Sequence, residues 1–307
     1  MDPIAAAIAR SIADATRTSQ AAFSFEPVGG GCIHRASRLT TDARDGKHAW
    51  FVKANGADKA PMFEAEARGL AALGRAGAIR VPSVIAGPIL GDEDATDEDE
   101  GVAWLVLEWL DLVPLDAVSG AKLGEALAAQ HRRPQPKFGW ARDNFIGSTP
   151  QSNALADDWL DFWRTHRLQM QLRYAAHNRL PSKMMDRGER LLADAEILFR
   201  NHAPEKSLLH GDLWGGNASA LGDGTPVVFD PAVYVGDREA DVAMTELFGG
   251  FPKDFHSAYR NAWPLSDGYP VRKDFYNLYH VLNHANLFGG GYVRQAEQLI
   301  EKVLAEM

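Results

Sequence analysis

The chain has 307 residues, 46% hydrophobic and 24% charged, with a formal charge of −9 and a single cysteine. That length accommodates one large or two medium domains, each with a core of its own. No apolar run approaches the roughly 20 residues of a membrane span, no basic stripe points to nucleic acid, and one cysteine excludes an internal disulfide, which fits a reducing cytoplasm.

Residues 3–17 carry Ile4, Ala5, Ile8 and Ile12 at helical spacing, so a helix is expected first, and this start does not read as a signal peptide. Residues 23–54 read as strands with turns at Gly29-Gly30-Gly31 and Asp45-Gly46. A helix is expected from Pro61 to Gly74, bounded by the usual proline start and glycine stop, and a strand-like piece spans 83–88. The run Asp92, Glu93, Asp94, Asp97, Glu98, Asp99 and Glu100 holds most of the net charge and reads as a solvated loop, not a metal site. Residues 102–110 then form a buried strand.

From Leu115 onward helical periods dominate, at 122–131, 156–176 and 186–202, then at 237–248, 253–263, 273–287 and 292–306, with a strand at 227–230. Asp111 and Pro114 interrupt the pattern where the two regimes meet. The expected class is α+β in two lobes. Residues 1–110 form a small sheet with one main helix, and residues 111–307 a larger, mainly helical lobe.

The stretch His210-Gly211-Asp212-Leu213-Trp214-Gly215-Gly216-Asn217 reads H-x-D-x-x-x-x-N, and Asp230 follows thirteen residues later at the end of an apolar run. Phosphoryl transfer needs a carboxylate to take the acceptor hydroxyl's proton and hard oxygen ligands to hold magnesium on the phosphates. The Asp-to-Asn spacing matches that of the protein kinase catalytic loop. Asp212 is therefore the candidate base, with Asn217 and Asp230 as candidate magnesium ligands, whereas His210 reads as structural. Lys53, ending a strand, would reach the ATP phosphates, and a carboxylate on the following helix would hold it; of Glu64 and Glu66 we prefer Glu66.

Gly29, Gly30 and Gly31 would cover phosphates with backbone N–H groups, although no Walker A motif follows them. Glu108 and Leu110 would present backbone groups to adenine. Cys32, within the glycine segment, reads as a packed small residue or as an accessible thiol whose oxidation, or bridging to a second chain in a linked dimer, would distort the loop. A monomer is otherwise expected.

These segments resemble the fructosamine kinase (ketosamine 3-kinase) family, related to aminoglycoside phosphotransferases and choline kinases. The resemblance covers nearly the whole chain: Gly29 to Ile33, Phe51-Val52-Lys53, Glu64 to Ala67, Val106 to Leu110, Asp143 to Gly147, the His210–Asn217 segment, Asp237 to Asp241, and Tyr279 to Gly289. Trp214, the Asn144-Phe145-Ile146-Gly147 segment and the Leu282–Gly289 segment are its most specific parts. It implies a protein-kinase-like fold and ATP- and magnesium-dependent phosphorylation of the 3-hydroxyl of a ketosamine. The substrates would be small molecules or glycated proteins, and the unstable product would lead to deglycation.

Trp214, His284 and Asn286 would line the acceptor pocket, and Asp241 would brace the catalytic loop. Asp230-Pro231-Ala232 departs from the D-F-G of protein kinases and argues against a flipping activation segment. Two other readings stay open: a kinase for another small acceptor of the aminoglycoside or choline type, and a nucleotide-binding homologue without catalysis.

Overall fold

The computed structural model describes residues 3–16, 23–29, 34–43, 46–87 and 102–307. Gly30, Gly31, Cys32 and the acidic run 92–100 lie outside them. Helix α1 (Pro3–Thr16) precedes strands β1 (Phe23–Val28), β2 (Arg35–Ala43) and β3 (Gly46–Gly56). Helix α2 (Ala60–Ala76), β4 (Val84–Ala86) and β5 (Val102–Glu108) follow, and the five strands form one antiparallel sheet in the order β1-β2-β3-β5-β4.

Alternation along β3 and β5 gives this sheet two apolar faces. Trp50, Val52, Trp104 and Val106 pack with Ile8 and Ile12 of α1. Leu105 and Leu107 turn the other way, onto Phe63, Leu70 and Leu73 of α2. Helix α2 has proline in its first turn, as expected, but it does not end at Gly74. It runs to Ala76, and Gly77, at φ 65°, donates its N–H to the Leu73 carbonyl at 3.2 Å. A left-handed residue stops a helix, and Gly74 is not left-handed.

The second region begins with β6 (Leu112–Val113), α3 (Ala117–His131), the hairpin β7 (Asn144–Ile146) and β8 (Thr149–Gln151), and α4 (Trp159–Trp163). A π-helical turn at Arg164–Leu168 joins α4 to α5 (Gln169–His177), and α6 (Ser182–Asp194) follows. Then come β9 (Ser207–Leu209), β10 (Ala218–Leu221), β11 (Pro226–Val228) and β12 (Tyr234–Gly236). Helices α7 (Arg238–Leu247), α8 (Lys253–Ala262), α9 (Tyr269–Phe288) and α10 (Gly291–Ala305) complete the chain.

Several helices start away from their expected bounds, for local reasons. Helix α3 begins at Ala117 because Asp116 and Ser119 form a reciprocal capping box. Helix α4 begins at Trp159 because Ala156 is paired with Phe138 in a β-bridge. The stretch expected as one helix at 186–202 is α6 followed by a 3₁₀ turn at Ala195–Phe199.

The two regions share one core. Phe63, Leu105 and Leu107 belong to the same buried cluster as Leu123, Leu213, Val228 and Phe255. A second core centres on Trp159, Trp163, Tyr276 and Tyr279, with the fully buried Arg167 guanidinium 4.1 Å from the Tyr234 ring. Among the described residues no helix is long and apolar enough to cross a membrane.

Candidate active site

The candidate residues meet where β3 and α2 face the segments after β9 and β11. Lys53 is buried, and its Nζ donates to Glu66 Oε1 at 2.8 Å and to Asp230 Oδ1. Burial alone would lower the Lys53 pKa, but the Glu66 and Asp230 carboxylates outweigh it and hold the ammonium charged above its ordinary value. Two carboxylates share this one cation. Desolvation pushes the more buried Glu66 up to about 7. Asp230, whose side chain is 45% exposed, is pushed up by burial too, yet Lys53 keeps it below its usual range. Glu64 points elsewhere and pairs with Arg68 on the helix surface.

The catalytic-loop candidate is held by its backbone. Asp241, at the start of α7, accepts from the N–H groups of His210 at 2.7 Å and Gly211 at 2.9 Å, and it faces His131 Nε2 at 3.2 Å. His210 Nε2 lies 3.0 Å from the Phe229 carbonyl, and its Nδ1 accepts from the Asp212 N–H at 3.3 Å. A neutral imidazole with its proton on Nε2 satisfies both contacts, and burial lowers the His210 pKa in the same sense. His210 is thus a structural linker between two chain segments.

Gly211 has φ +82°, and a Cβ there would sit 2.1 Å from the Ala232 carbonyl oxygen, so only glycine lets the loop lie against the segment after Asp230. The β7–β8 hairpin braces that segment from behind. Asn144 donates to the Val233 carbonyl at 2.7 Å, and Gln151 donates to the Ala232 carbonyl at 3.2 Å. The Asn144–Gly147 segment therefore supports the site without entering it.

Asn217 Nδ2 donates to the Asp212 carbonyl at 2.9 Å and to Asp212 Oδ2 at 3.2 Å. Its Oδ1 accepts no hydrogen bond from any described residue. The Asp212 carboxyl is pushed up to about 7, first by desolvation and then by the charge of Asp230. Asp230 takes φ +56°, a left-handed conformation that few non-glycine residues adopt. This turn carries the chain from β11 into Pro231, and it could not be read from spacing.

Other expected residues lie in varied surroundings. Gly29 has open space where a Cβ would be. The Glu108 carboxylate is bound by Arg80 and by the Ser83 N–H, and the Glu108 N–H donates to the Ser83 carbonyl at 2.9 Å. Of the two proposed adenine-facing residues, only Leu110 retains an amide with no hydrogen-bonded partner among the described residues. Trp214 is exposed, its ring lying over Gly216 and edge-on to Phe248 at 6.3 Å. The His284 ring lies 5.2 Å from that of Phe248.

Asn286 departs from the pocket expectation. Its Nδ2 donates to Gln171 Oε1 at 2.8 Å and its Oδ1 accepts from Asn178, so the amide ties α9 to α5. Arg80 and Phe248 were not anticipated. Arg80 carries no periodic signal, whereas Phe248 directly before Gly249-Gly250 resembles an ordinary helix end.

The family described as fructosamine kinase matches residues 4–306. The chain is 44% identical over 282 residues to a "Probable ketoamine kinase" of Synechocystis sp., covering 90% of this chain and 89% of the relative. It is 39% identical over 279 residues to the "Protein-ribulosamine 3-kinase, chloroplastic" of Arabidopsis thaliana, covering 90% and 81%. A solved "Putative fructosamine-3-kinase" from Haemophilus somnus superposes with a TM-score of 0.84 at 29% identity, over 97% of this chain and 96% of that one.

More distant structures share the fold alone. They include a macrolide 2'-phosphotransferase, with TM-score 0.57, 18% identity and 98% of both chains covered. The choline kinase of Streptococcus pneumoniae gives 0.54, 16% and 99% of both chains. The fold is thus the expected protein-kinase-like α+β arrangement. The chain belongs to the fructosamine kinase family, phosphotransferases that use ATP and act on a hydroxyl of a sugar–amine adduct.

Proposed function

We propose that the chain is a ketosamine 3-kinase that phosphorylates the 3-hydroxyl of ribulosamine-, erythrulosamine- or fructosamine-type adducts, free or protein-bound, and so leads to their deglycation. Residues before the Asp111–Pro114 break would hold the nucleotide, and those after it the acceptor. The observation that carries the reading is the convergence of Asp212, Asn217 and Asp230 opposite the Lys53–Glu66 pair.

Magnesium fits the donor set. Asn217 is pinned through its nitrogen, its Oδ1 has no hydrogen-bond donor among the described residues, and the Asp230 side chain is 45% exposed. These are hard oxygen donors. Bound between them, the ion would neutralise charge on the ATP phosphates. Lys53 would bind the α- and β-phosphates, with Glu66 holding the ammonium in position. The Asp212 carboxylate would orient the acceptor hydroxyl in line with the γ-phosphoryl group and take its proton. Trp214 and His284 would bound the acceptor side.

The test is ATP consumption with magnesium against ribulosamine, erythrulosamine, fructosamine and kanamycin. One or more ketosamines should be phosphorylated at O3 and kanamycin should not. Phosphorylation of kanamycin alone, or of none of the four, would overturn the reading.

A further inference from the structure

Among the described residues the only exposed phenylalanine, tryptophan or tyrosine side chains are Trp214 at 40%, Phe248 at 39% and Phe288 at 64%, and all three belong to one stripe of rings. From Trp214, two residues beyond Asp212, the stripe passes to Phe248 at 6.3 Å and His284 at 5.2 Å. From His284 it reaches Phe288 at 5.7 Å and Tyr292 at 4.9 Å, and these last two lie 6.3 Å apart.

Backbone geometry fixes the stripe at both ends. Gly289 (φ 63°, ψ −141°) and Gly290 (φ 59°, ψ −129°) turn α9 directly into α10 and set Phe288 beside Tyr292. These dihedrals are open only to glycine, and a Cβ at either position would meet nothing, so conformation alone requires it. At the other end, a Cβ on Gly215 would lie 2.9 Å from the Gly249 carbonyl oxygen, so the catalytic loop rests on the turn after Phe248.

Three large aromatics exposed together mark a surface that binds something apolar. The stripe runs on from the loop that carries Asp212, and a sugar–amine adduct has two halves. The sugar hydroxyl must reach Asp212; the group borne by the amine must leave the site on one side. We infer that Phe248, His284, Phe288 and Tyr292 form a subsite for this amine-borne group, which selects adducts bearing an apolar or aromatic moiety close to the glycated nitrogen. This rests on the ketosamine reading above. The four side chains include no carboxylate, ammonium or guanidinium, so recognition comes from apolar contact, with aromatic faces also suited to the cationic amine.

The test compares ribulosamine adducts of phenethylamine and of methylamine on wild type, Phe248→Ala, Phe288→Ala and Phe288→Leu. Wild type should prefer the phenethylamine adduct by about tenfold in kcat/KM, expressed in KM. Each alanine variant should cut that preference by about fivefold, and Phe288→Leu by less, since it keeps apolar area. Equal wild-type values for the two adducts would overturn the subsite, as would a loss in the variants that falls equally on both adducts or only on kcat. If wild type phosphorylates neither adduct, the ketosamine reading fails first. Melting temperature and ATP binding of the variants separate misfolding from these outcomes.

Discussion

Asp212 accepts a hydrogen bond from Asn217 Nδ2 and faces the like charge of Asp230. Asp212→Asn keeps size and shape and removes the proposed base. Turnover should fall by about 10²–10⁴-fold while ATP binding, followed by calorimetry, is retained. Residual activity above a few per cent would remove Asp212 from the role of base. The convergence of these side chains was legible in sequence because Asp212, Asn217 and Asp230 keep the spacing of a kinase catalytic loop and the strand after it. The left-handed turn at Asp230 was not legible, since it arises from Pro231 packing and from the hairpin behind Ala232 and Val233. Nor was the placement of Asn286. Asn at helical spacing from His284 looks the same whether it lines a pocket or, as here, ties α9 to α5.

At the scale of elements, the decisive contact is between α2 and the segment after Asp230. A Cβ on Gly69 would lie 3.0 Å from Pro231 Cγ and 3.5 Å from Val233, so the helix that carries Glu66 sits directly on the chain that carries Asp230. This contact gives the departure from D-F-G a physical content: Pro231 forms a flat apolar face for a glycine on α2. Gly69→Val should overpack it and cost about 1–3 kcal/mol of stability. It should also lift Glu66 away from Lys53 and raise KM for ATP more than KM for the acceptor. Melting temperature and the two KM values check this, and an unchanged KM for ATP in a folded variant would show that α2 does not position Lys53. The α2 helix itself was legible from Pro61 and its apolar period. Strands β6 to β12 were largely missed because each has only two to four residues, too few for alternation to declare itself.

The whole molecule is closed around buried polar groups, and these make its stability depend on pH. His280 lies inside α9, and desolvation, followed by repulsion from His284, depresses its pKa to about 3. The unfolded chain offers an ordinary imidazole near 6.5, so below that pH the unfolded state binds a proton that the folded state refuses. Stability is therefore lost as pH falls from about 6.5 toward 3, by at most about 1.4 kcal/mol per pH unit from this residue. His34, depressed to about 4 mainly by burial and then by Lys53, adds to the same trend. Glu66 and Asp212, raised to about 7, act in the opposite sense, because the folded state takes up their protons more readily. Net acid sensitivity thus combines opposed contributions, and the comparison must be between variants. His280→Gln should lose stability relative to wild type at pH 7.5 through packing, and the gap should narrow by about 1 kcal/mol at pH 5.5. Urea unfolding at the two pH values measures this, and a gap independent of pH would mean that the folded protein leaves the His280 pKa at its unfolded value.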